Sequence, residues 1–150
     1  MKKNIDFILF AIKQAKEAEA FTFKRNECCR NLKTALHQYW QTKTLGLSSI
    51  SQKARIPRSK AALGKPLCEC RVEHTVPLMV IVNHLMKMKP LTSKAVCKYL
   101  KRWYVVRLVT CDEDMRLTAK GLRSKMPSKC NRQDIFARYA AVGIRCSNGK

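Results

Sequence analysis

The sequence predicts an α+β protein, mainly helical, with several helices around a short strand or hairpin and a helical N-terminal arm. Three observations carry that expectation. Apolar residues recur at three- and four-residue steps along much of the chain, as in Ile5, Ile8, Leu9 and Ile12, which is the spacing of a helix with one buried face. Only "LCECRVEH" and "YVVRLVT" have the alternation or the β-branched and aromatic richness of strands. Apolar side chains make up 46% of the 150 residues, enough for a packed core.

The elements follow in order. A first helix is expected around Ile5–Ala15. A second is expected from about Asn26 to Thr42, with Cys28, Cys29, Leu32, Leu36, Tyr39 and Trp40 on its apolar stripe. "TKTLGLSSISQKARIPRSKAALGKP" then breaks the pattern; it is basic and rich in Ser, Gly and Pro, as loops are. These marks divide the chain into an arm (1–43), a basic loop or linker (44–65) and an α+β core domain (66–150). Pro77 suits a helix start, where its missing N–H costs nothing. The "PLMVIVNHLMKM" that it opens is apolar on most sides and therefore expected to be buried. Thr92 or Ser93 caps "LTSKAVCKYLKRW", an amphipathic helix. "CDEDMRLTAKGL" reads either as a helix capped by Asp112 and stopped at Gly121 or as a hairpin loop and short strand. "RQDIFARYAAVGI" reads as a last helix, stopped at Gly143.

Charge narrows the partner. Thirty-one Lys and Arg oppose 10 Asp and Glu, a formal net charge of +21, so a counter-charge is expected in the protein's working life. Nucleic acid fits best, because cations that neutralise phosphates release condensed counterions. DNA is favoured over RNA, and an acidic protein partner is the alternative. No Asp or Glu occurs from Cys28 to Cys68 or from His74 to Cys111, and long single-sign runs favour an anion-binding face. No apolar run approaches the roughly 18 residues of a membrane span. The eight cysteines form no CxxC pair; they read as free thiols, and the expected location is cytoplasmic.

Two stretches could carry chemistry. In "VEHTVP" an acid precedes His74 directly, and Asn83 and His84 follow. A base beside a phosphodiester and a cation to stabilise developing charge are what metal-assisted hydrolysis needs. Val72–Pro77 resembles the acidic-His-x-x-Pro element of HNH-type (ββα-metal) endonucleases. The resemblance implies a divalent Mg or Mn ion, with Glu73 as metal ligand, His74 as general base, Asn83 as the orienting residue and His84 as a second ligand. Cys68, Cys70, His74 and His84 would also offer four zinc ligands, but two cysteines one residue apart suit a single tetrahedral ion poorly, so zinc is not expected.

The second stretch places Lys94, Lys98, Lys101 and Arg102 at i, i+4, i+7 and i+8, on one stripe of a helix. A buried helix, the tight "KPLT" connection and this basic helix resemble a helix-turn-helix. With "YVVRLVTCDEDMRLTAKGL" as the hairpin wing, Pro77–Leu122 resembles winged helix-turn-helix proteins. That resemblance implies a helix in the major groove, positioned by phosphate contacts, with Ser93 or Arg102 left to read sequence. Arg55, Arg58 and Lys60 are expected to add contacts. A non-catalytic accessory factor for RNA or an acidic protein is the further alternative, with Tyr39, Trp40, Trp103 and Tyr104 available to stack on bases.

Overall fold

The computed structural model describes residues 2–21, 24–131 and 133–146. The fold is α+β and mainly helical. Its helices are α1 (Lys2–Ala20), α2 (Arg25–Ala35), the short α3 (Ile50–Lys53), α4 (Leu78–Lys87), α5 (Ser93–Trp103), α6 (Cys111–Ala119) and the short α7 (Ala137–Ala140); its strands are β1 (Cys70–His74) and β2 (Val106–Thr110). The strands pair antiparallel, with Cys70 opposite Thr110 and His74 opposite Val106. The whole of α4 and α5 therefore lies between two neighbouring strands.

The predicted amphipathic patterns account for the packing. Ile5, Ile8 and Ile12 of α1 are buried with Leu32 of α2, Ile81, Val82 and Leu85 of α4, and Val96 and Leu100 of α5. The N-terminal helices thus belong to the same core as the segment after residue 66, rather than forming an arm outside it. The second predicted helix is continuous in extent but changes pitch: Leu36–Thr42 is wound as a π-helix, with Leu36, Trp40 and Gln41 buried.

The stretch expected to be a linker is built into the fold. Ile56, Ser59 and Ala62 are buried, and the Ser59 N–H donates to the Leu108 carbonyl at 2.8 Å. Arg58 bridges to Leu108 and Ser59 to Cys146, so this stretch lies against the edge of β2.

The ambiguous "CDEDMRLTAKGL" is a helix. Thr110 and Glu113 form a reciprocal capping box at the start of α6, which satisfies two of the N–H groups that every helix start leaves unpaired. Gly121, at φ 65°, ends it in the left-handed conformation that glycine adopts without strain. The acids Asp112, Glu113 and Asp114 occupy the first turn, where the helix dipole favours negative charge. A wing hairpin at this position is therefore corrected to strand followed directly by helix. The last predicted helix shrinks to Ala137–Ala140, and Gly143 follows at φ 71°; Arg132, where that helix was expected to begin, lies outside the described residues.

Among the described residues no helix is long and apolar enough to cross a membrane.

Candidate nucleic-acid interface

The residues of the metal-nuclease reading do not converge. Glu73 and His74 are neighbours in β1, and successive side chains of a strand point to opposite faces. Glu73 is held by Arg138: the guanidinium Nη2 donates to both the Glu73 carboxylate and the His74 carbonyl. Arg138 is fully buried, and its Nε and Nη1 donate to the Thr75 and Leu122 carbonyls at 3.0 and 2.9 Å. Burial raises the Glu73 pKa, while the hydrogen bond and charge of Arg138 pull it back part of the way.

His74 faces elsewhere, edge-on to Tyr104 with ring centroids 4.8 Å apart. Its Nε2 is buried with no hydrogen-bond partner. Burial, with the positive charge of Arg138, lowers its pKa to about 4, so the ring is neutral at physiological pH. His74 also borders a cleft of about 330 Å³ with His37, Gln41 and Lys53, a lining that includes no carboxylate. His84 lies in a different cleft, stacked on Tyr99, and does not join Glu73 as a ligand. No group of three or more His, Cys, Asp or Glu among the described residues could hold a metal ion.

The basic residues fare differently. α5 is capped by Thr92, whose hydroxyl accepts from the Ala95 N–H at 3.2 Å. It turns Val96 and Leu100 into the core, and this fixes the opposite stripe outward. Lys94, Lys98, Lys101 and Arg102 are all exposed, and none of the four makes an ion pair among the described residues. Arg55, also exposed, lines a cleft of about 500 Å³ together with Lys101, so two separated segments of the sequence contribute cations to one place.

Other expected contacts are already engaged. The Arg58 Nη1 donates to the Ala62 and Lys65 carbonyls at 2.8 and 2.6 Å, which ties the guanidinium to its own loop. Lys60 is exposed, but its backbone N–H pairs with Arg145, placing it by the C-terminal segment rather than on α5. Of the two residues expected to read sequence, Ser93 lies 3.5 Å from the Asp6 carboxylate and Arg102 donates to Gln133 at 2.7 Å.

The aromatic residues separate just as clearly. Trp40 and Tyr104 are buried, with the Tyr104 hydroxyl donating to Gln41 at 2.9 Å, and Tyr39 stacks on Phe7 with centroids 4.1 Å apart. Of the four, Tyr104 borders the cleft of Arg55 and Lys101, and Trp103 lines a second cleft. That cleft, of about 630 Å³, joins Val80 and His84 of α4, Tyr99 and Trp103 of α5, and the later residues Met126, Pro127, Ser128, Cys130 and Gln133. His84 and Tyr99 stack almost parallel, 4.1 Å apart and 6° from coplanar, and Trp103 continues the series 6.0 Å from Tyr99. Sequence reasoning missed this cleft, although the i, i+4 pairs Val80/His84 and Tyr99/Trp103 each mark one face of a helix. No family model matches the chain, and no curated protein and no solved structure matches it at a significant level.

Proposed function

We propose that the protein binds nucleic acid through α5, with Lys94, Lys98, Lys101 and Arg102 contacting phosphates, and that Glu73 and His74 serve the fold rather than catalysis. The observation that carries this reading is the stripe of four exposed cations, none neutralised by a carboxylate among the described residues, in a protein of net charge +21. Arg55 extends the stripe beside Lys101. The order of buried helix, short connection and basic helix is compatible with a helix-turn-helix-like use of α5, but α6 stands where a wing would be. Phosphate contact, which positions without specifying sequence, is the mode that this surface supports best.

The test is binding of labelled DNA, duplex and single-stranded, at moderate salt. The triple variant Lys94→Ala/Lys98→Ala/Lys101→Ala is expected to bind at least about tenfold more weakly, since each lost phosphate contact forfeits released counterions. Unchanged affinity would overturn the proposal. Cleavage of either substrate by the wild type with Mg²⁺ or Mn²⁺, abolished in His74→Ala, would restore the nuclease reading.

A further inference from the structure

A row of cations recognises a polyanion but does not say whether its bases are paired. The cleft beside α5 bears on that question. One wall carries the stacked series His84, Tyr99 and Trp103. Its lining also includes the exposed residues Ser128 and Gln133, and no Asp or Glu among the described residues. Arg102 joins the cleft to the cationic stripe: its guanidinium carbon sits 5.4 Å from the centre of the Trp103 ring, and it donates to Gln133 at the cleft. A flat, uncharged unit attached to a chain of negative charges would satisfy both surfaces at once.

We propose that this cleft takes an unpaired nucleobase of a single strand whose phosphates run along the α5 stripe. The inference rests on the phosphate-binding reading and names the form of nucleic acid that the same surface prefers. Tyr99 lies between His84 and Trp103, so a base would extend the series from one of its ends, such as the exposed His84. Because every base has a π-face, it would do so without strong sequence preference. An amide and a hydroxyl can meet the donors and acceptors that an unpaired base leaves exposed. Bases inside a duplex are stacked and paired, and cannot enter such a cleft without being extruded. The volume lies within the usual range for sites that enclose an organic ligand. Burial lowers the pKa of His84, which favours the neutral ring and a stacking surface over a further point charge.

The experiment compares two labelled strands of about ten residues, within the usual span of single-strand sites. One is oligothymidylate; the other is an abasic strand with the same number of phosphates. Oligothymidylate is expected to bind about tenfold or more tightly, as one base–aromatic stack contributes. Ser128→Leu, at an exposed position, narrows the cleft without removing a cation or adding an aromatic face; it should reduce that preference while leaving abasic-strand binding unchanged. Equal binding of the two strands by the wild type, both weakened in the triple lysine variant, would overturn the base site and leave phosphate binding standing. Failure of both strands to bind would overturn both. An undiminished preference in Ser128→Leu would also overturn the assignment to this cleft.

Discussion

Arg138, fully buried, holds the Glu73 carboxylate and at the same time donates to the carbonyls of His74, Thr75 and Leu122. One planar fork of donors thus ties the end of β1 to the segment after α6. Arginine can do this because its five N–H groups are fixed in a plane and stay charged. Breaking a buried pair by removing one partner leaves the other charge uncompensated, which typically costs about 3–5 kcal/mol. Arg138→Met is expected to lose stability in that range in urea unfolding. The double variant Arg138→Met/Glu73→Gln should recover part of the loss, and a cost below about 1 kcal/mol for the single variant would contradict the clamp.

The start of α6 should be sensitive to both members of its capping box. Thr110→Ala removes the hydroxyl that accepts from the Glu113 N–H at 3.1 Å, and a lost cap of this type costs about 1 kcal/mol. Glu113→Ala should cost more. Its buried carboxylate also accepts from the Ser59 hydroxyl at 2.5 Å and the Thr110 N–H at 2.9 Å, so its removal leaves donors unpaired. Thermal unfolding of the two variants would check the order, and a milder effect for Glu113→Ala would refute it.

His74 sets a pH dependence whose sign follows from its environment. Its pKa falls from 6.5 to about 4 on folding, so between those values the unfolded chain binds the proton more strongly than the folded one. Stability is therefore full above about pH 6.5 and declines on acidification towards pH 4, by an amount on the order of 1–3 kcal/mol. The raised pKa of Glu73 acts in the opposite direction, so the informative quantity is the difference between wild type and His74→Phe. Unfolding free energies measured at intervals from pH 7 to about pH 4 should show a shallower decline in the variant. Parallel curves would contradict the assignment.

Salt dependence offers a quantitative check on α5. Three phosphate contacts removed by the triple lysine variant should reduce the slope of log affinity against log salt by about 2–3. Arg55→Ala should weaken binding with little change in stability. Arg58→Ala should do the reverse, because its guanidinium bonds the Ala62 and Lys65 carbonyls. Titrations at several salt concentrations, alongside unfolding curves, separate the two effects.

The helices were legible where local pattern and packing agree. Thr92 caps α5 and the cations point outward, both readable from residue types at fixed spacing. Local pattern was silent wherever a distant segment decided the outcome. The partner of β2 is β1, on the far side of two helices, while "CDEDMRL" offered a nearby hairpin as an equally good reading. Arg58 read as a nucleic-acid contact and Arg138 gave no signal at all, because nothing adjacent in the chain reveals the carbonyls that receive them. Glu73 and His74 suggested a metal site by adjacency, although strand geometry sends adjacent side chains apart. The aromatic cleft needed two helices and a later loop to exist at all.

The pairing of β1 with β2 has an evolutionary consequence. Residues 75–105, which carry the cationic stripe and much of the aromatic wall, form one excursion whose two ends are fixed by the last rungs of a ladder, His74 opposite Val106. Paired strand residues hold their Cα atoms about 4.5–5.5 Å apart, so the excursion's ends stay in place whatever its outer face carries. On the proposed reading, exchanges at Lys94, Lys98 or Tyr99 would retune recognition while Val82, Leu85 and Leu100 continue to anchor the helices to α1. The ladder is then a fixed handle for whatever the outer face of the excursion carries.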